Sequence, residues 1–132
     1  MSKDAMRQIT DSINPIHEDG CMALRNRSWL RYEIGERVSD RTLHLRIVEN
    51  SGEGTFCNEW ICAKDIVKVL DIKSRFSGND LNRFMGFSDL NTGGFVLAIF
   101  AHLGLVCKKD GQFYERVAHS SFRGAVEERL NN

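Results

Sequence analysis

The chain has 132 residues, of which 42% are hydrophobic and 27% charged, and its 18 Lys and Arg balance 18 Asp and Glu. That length suits one ordinary core and is short for two, and the composition excludes low-complexity and collagen-like classes. A net charge of zero also excludes the strong basic excess of proteins that hold nucleic acid through many phosphates.

Residues 2–14 place Ala5, Met6, Ile9 and Ile13 at helical spacing ahead of the only proline, Pro15, which predicts a short amphipathic N-terminal helix. No apolar signal-peptide core is present there, and the longest apolar run, Phe95 to Ala101, is too short to cross a bilayer. A cytoplasmic protein that does not enter the membrane is expected. His17 to Gly20 reads as a polar connector. Leu24 to Ile34 favours a strand over a helix, with Leu24, Leu30, Tyr32 and Ile34 on one side and Arg25, Arg27, Trp29 and Arg31 on the other. Thr42 to Glu49 alternates more clearly: Leu43, Leu45 and Ile47 face inward, His44 and Arg46 outward. A turn over Asn50 to Gly54 returns the chain into Thr55 to Ile61, giving a β-hairpin or a three-stranded antiparallel sheet.

Beyond Ile61 the period becomes helical. Ala63, Ile66, Val69 and Leu70 mark a first helix over 63–70. Ser77 and Asp80 form a capping-box pair ahead of Leu81, Phe84 and Met85, and Gly86 stops that second helix. Asn91 or Thr92 caps a third helix with Val96, Ile99, Phe100 and Leu103 on one face, closed by Gly104. Leu105 to Lys108 and Phe113 to Val117, joined through Asp110 and Gly111, read as a hairpin. Phe122, Val126 and Leu130 predict a C-terminal helix over 121–130.

Cys21, Cys57, Cys62 and Cys107 show no CxxC spacing, so buried reduced thiols are expected. His44 with Cys57 and Cys62 has the residue types of a metal set, but a His alternating with apolar residues belongs on the outer face of a strand. No metal or cofactor is expected. No Ser/His/Asp or Cys/His grouping and no phosphate-cradling glycine loop is legible, so no enzyme is expected either. His17 and His119 fall in connectors, and His102 suits a helix C-terminus.

Three short helices, a glycine stop and the hairpin HLGLVCKKDGQFYERV resemble the winged helix-turn-helix superfamily over residues 60–117. This divides the α+β chain into a 1–59 extension carrying the N-terminal helix and hairpin, a winged helix over 60–117, and a C-terminal helix over 118–132. The resemblance implies that the third helix enters the major groove and that the hairpin tip touches phosphates or the minor groove. Asn91, Thr92 and Gly93 would then face the groove, Lys108, Lys109 and Gln112 would form the tip, and Lys73, Arg75 and Arg83 would flank them. A DNA-binding regulator acting as a homodimer is the leading expectation.

Residues 1–59 hold 8 Lys and Arg against 10 Asp and Glu, residues 60–119 hold 8 against 6, and none lies between Asn91 and Leu103, so contacts would come from local patches. A helix so apolar, with Leu97, Ala98 and Ala101 opposite its core face, gives the alternative expectation, a protein-interaction module or inhibitor that docks by it. A further candidate surface gathers Arg25, Arg27, Trp29, Arg31, His44 and Arg46 on the outer face of the N-terminal sheet, where arginines beside an aromatic can grip backbone phosphates and stack on bases.

Overall fold

A computed structural model of the chain describes residues 12–25 and 28–131. Four strands form an antiparallel sheet in the order β1-β2-β3-β4: β1 Ile13–Met22, β2 Trp29–Arg37, β3 Leu43–Asn50 and the short β4 Ile61–Cys62. Leu30, Tyr32 and Ile34 on β2 stand opposite Asn50, Ile47 and Leu45 on β3, so Tyr32, Ile34, Leu45 and Ile47 share an inner face and are all buried.

The sheet departs from the sequence reading in three ways. The N-terminal helix expected over 2–14 lies mostly outside the described residues, and its last two positions, Ile13 and Asn14, open β1 instead. The connector expected at His17 to Gly20 is the middle of that edge strand. Its inward positions, His17, Asp19 and Cys21, pair across from Ile34, Tyr32 and Leu30, and Asp19 faces the guanidinium of Arg129 at 4.0 Å, which is why a polar stretch is tolerated there. Pro15 sits at the bulge between Pro15 and His17, on the outermost strand, where a missing amide costs no ladder bond. Finally, the return strand expected from Thr55 to Ile61 shrinks to two residues. The stretch before it is held by other bonds: the Cys57 amide donates to Thr92 Oγ1 (2.8 Å) and the Asn91 side-chain amide donates to the Thr55 carbonyl (3.1 Å).

The helical half follows the sequence more closely. Its helices are α1 Ala63–Ile72, α2 Gly78–Met85, α3 Thr92–His102 and α4 Phe122–Leu130. The capping box at Ser77 and Asp80 is formed as expected, and Gly86 ends α2 in the left-handed region. The cap of α3 is a correction: Asn91 makes no side-chain cap, and Asp89 does so from outside, accepting from the Asn91 amide (2.7 Å) and the Thr92 amide (3.2 Å). A two-residue strand, β5 Arg75–Phe76, links α1 to α2 and joins β6 Val106–Asp110 and β7 Phe113–Arg116 in a second sheet of order β5-β7-β6. This strand was not expected, because the 71–77 stretch carries no alternation. Gly104, with φ of 79°, turns the chain from α3 into β6, a conformation that a residue with a Cβ resists.

The inner face of the four-stranded sheet, α1, α2, α4 and α3 share one hydrophobic cluster. Helix α3 is its axis: it packs on α2, β1 and β6, and every residue from Phe95 to Phe100 is buried. Backbone meets backbone where α2 crosses α3, since a Cβ at Gly93 would run into the Gly78 carbonyl and the Asn82 side chain. Among the described residues no helix is long and apolar enough to cross a membrane.

Candidate functional site

A groove of about 460 Å³ opens where the two halves of the fold meet. The bend after β1 (Leu24, Arg25), the first turn of α2 (Asn79), the approach to α3 (Leu90, Asn91) and the hairpin (Lys108, Gln112, Tyr114) form its walls. Its two charged lining residues, Arg25 and Lys108, are both cations, and no carboxylate lines it. Arg25 reaches across to the hairpin and donates to Gln112 Oε1 at 3.4 Å, a long bond to a neutral acceptor.

Local bonds fix the wall at Leu90. Asn82 donates to the Leu90 carbonyl (3.0 Å) and accepts from the Gly93 amide (2.7 Å), so α2 holds the loop that begins α3. Asp89 is clamped by Thr55 and by two amides of the first turn; the Thr55 hydroxyl is the main cause that holds its carboxyl below the usual range. On this rigid loop Leu90 projects with 87% of its surface exposed, the most exposed large apolar side chain of the described residues.

Of the residues the sequence singled out for DNA, the groove brings together Asn91, Lys108 and Gln112. Thr92 is fully buried, bonded to the Cys57 amide, and Gly93 is buried against α2, so neither faces outward. Lys73 and Arg83 both turn onto Asp80, at 3.0 and 2.9 Å. Burial pushes the Asp80 carboxyl up, but the Ser77 amide and the Lys73 ammonium outweigh it and hold it below the usual range. Lys109 pairs with Glu115 at 3.4 Å, whereas Arg75 is exposed on β5 with no ion pair among the described residues.

The arginine-bearing sheet face does not assemble as expected. Arg25 leaves the sheet for the groove, and Arg27 lies outside the described residues. Arg31 is held between Glu18 (3.1 Å) and Glu49 (3.2 Å), and Arg46 binds Glu33 (2.7 Å) while stacking on Trp60 at 4.2 Å. Trp29 remains half-exposed opposite Met22. His44, expected outward, is only 2% exposed because Trp60 and Arg37 cover it; its Nδ1 lies 3.0 Å from the Thr42 carbonyl and its Nε2 3.2 Å from Arg37. Leu97 and Ala98, expected on a docking face, are corrected to core residues at 0% and 3% exposure, because the N-terminal sheet covers the side of α3 that the sequence left open; Ala101 is half-buried.

Sequence reasoning missed Leu24, Asn79 and Leu90. Only Leu90 carried a signal, as an apolar residue between Asp89 and Asn91 that belongs to no helical face. Two other places concentrate chemistry. A recess of about 500 Å³ between α1 and the end of α2 is walled by Trp60, Phe84 and Phe87, with Glu59, Asp65 and Lys68 among its polar lining. At the far end of α3, the Tyr32 hydroxyl meets His102 Nδ1 at 3.0 Å and burial pushes the Tyr32 phenol well up. All four cysteines are free; burial, with Asp19 nearby, pushes the Cys21 thiol up to about 11. Among the described residues no three His, Cys, Asp or Glu gather as a metal site. Comparison with protein-family models, with curated proteins and with solved structures gives no match.

Proposed function

We propose that residues 63–116 are a winged helix and that the protein is a non-enzymatic recognition module, binding a protein partner through the groove between the start of α3 and the hairpin. The succession α1, β5, α2, α3, β6, β7, with β5 beside β7, supports the winged-helix reading. One observation carries the functional reading. Helix α3, which in DNA-binding winged helices lies along the major groove, is buried from Phe95 to Phe100, and the end preceded by Leu90 and Asn91 borders the groove. That end offers Leu90 and Leu24, apolar and exposed, beside Arg25 and Lys108, the combination of apolar anchor and polar rim that suits a protein interface.

A photo-crosslinking side chain placed at Leu90 tests this, with Val67, exposed on α1, as the control. A discrete protein adduct at Leu90 that Lys108→Glu abolishes is expected. Adducts to DNA alone, or equal adducts at both positions, would overturn the reading.

A second reading, the DNA-binding regulator, is favoured by the absence of any carboxylate from the groove lining and by the unpaired Arg75 beside it in sequence to α2. It requires phosphate contacts from the hairpin and the end of α3 rather than base reading along α3.

A further inference from the structure

Charge and shape in the groove narrow the partner further, on the premise that the groove is the protein-binding surface. Most Lys and Arg of the described residues are already committed to carboxylates: Arg31, Arg37, Arg41, Arg46, Lys73, Arg83, Lys109, Arg116 and Arg129 each have one within 4.0 Å. Arg25 and Lys108 are not. Arg25 is held only by the Gln112 amide at 3.4 Å, which a carboxylate would displace, because a charge-assisted and bidentate bond is stronger than a stretched neutral one. The two helix ends that border the groove add little charge of their own, since Asp80 and Asp89 already occupy the caps of α2 and α3. The attraction therefore resides in two side chains on opposite walls.

Apolar surface in the same groove sets the second requirement. Leu90 is 87% exposed and Leu24 37% exposed, and Phe95 and Tyr114 line the same groove. A purely ionic ligand would leave this surface wet, whereas one large apolar side chain would cover it in a space of about 460 Å³. We infer that the groove takes a short acidic peptide segment bearing one large apolar residue, its carboxylates on Arg25 and Lys108 and its apolar side chain between Leu24 and Leu90.

Selection of a displayed random dodecapeptide library on the full chain tests this, followed by fluorescence titration of the enriched peptides. Enriched sequences are expected to be acidic and to contain Leu, Phe or Met. Their affinity should fall about tenfold in Arg25→Glu, Lys108→Glu and Leu90→Asp, all at exposed positions, and stay unchanged in Arg123→Glu on α4. Circular dichroism of each variant separates lost binding from lost fold. Enrichment of basic or uncharged peptides, affinities indifferent to the three groove variants, or no enrichment at all would overturn the inference. If the selection fails while a protein adduct at Leu90 persists, only the acidic-ligand class falls. If a mixed-sequence duplex binds and Lys108→Glu abolishes its binding, while no protein adduct forms, the protein-binding reading falls with it.

Discussion

Raising the salt concentration separates the two readings of the groove, because the structure limits how many phosphates the hairpin end can neutralise. Among the described residues, the cations toward that end without a carboxylate partner are Arg25, Arg75 and Lys108; Lys73, Arg83 and Lys109 are engaged within the chain. Three contacts give a slope of log K against log salt of about −2.7, so affinity for a duplex would fall about 40-fold between about 50 and 200 mM salt. A protein with six to ten contacts loses roughly 10³ to 10⁵ over the same interval. Fluorescence anisotropy of a labelled mixed-sequence duplex measures this directly. Weak binding with a slope near −3 or shallower is expected. A slope of about −6 or steeper would refute the reasoning, since it would require cations that are paired in the structure to be released onto DNA.

The contrast between α3 and its entry loop yields a second prediction: Leu97→Asp, at a fully buried position, should cost more than about 4 kcal/mol or abolish folding, whereas Leu90→Asp should change stability by no more than about 0.5 kcal/mol in urea titrations. Gly93→Ala forces a Cβ against the Gly78 carbonyl and should destabilise by about 1–3 kcal/mol through a lowered urea midpoint at unchanged slope. His44 sets a pH dependence. Burial lowers its pKa below the ordinary 6.5, partly offset by its bond to the Thr42 carbonyl. The unfolded chain then binds the proton more readily, so the native state loses stability as pH falls through about 6.5 and on down to the folded pKa. The urea midpoint should drop between about pH 7.5 and 5.5, and this part of the drop should vanish in His44→Gln; an unchanged profile in that variant would reject the assignment.

What the sequence made legible was whatever is written locally. Ser77 with Asp80, Gly86, Gly104 and the Asp110–Gly111 corner each specify a cap or a turn within a few residues, and each is present. Strand β1 was not legible, because its inward positions His17 and Asp19 are polar and hide the alternation, and the Arg129 guanidinium that faces Asp19 comes from α4, far along the chain. Nor was the cap of α3, since Asp89 acts from outside the helix while Asn91 turns back to the Thr55 carbonyl. For the candidate site, Asn91, Lys108 and Gln112 followed from the resemblance. Arg25 was assigned to a sheet face that it leaves, because a bend replaces the start of the expected strand.

The decisive event in this fold is the meeting of two surfaces that neither half can leave in water. Leu30, Tyr32, Ile34, Leu45 and Ile47 give the N-terminal sheet a continuous apolar face, and Phe95 to Phe100 make α3 apolar on every side. Each large side chain buried in that contact contributes roughly 1.5–3 kcal/mol, so the sheet and the helix cover one another, and the Tyr32–His102 bond, between residues 70 positions apart, fastens the far end. A helix enclosed in this way has no lateral face to offer to a groove or a partner. On the proposed reading, recognition moves to the end bordered by the hairpin, where Asp89 and Asn82 hold the Leu90 loop and Lys108 lines the groove. The absence of Lys and Arg from Phe95 to Phe100 follows from the same cause, since a cation at any of those buried positions would need a partner inside the core.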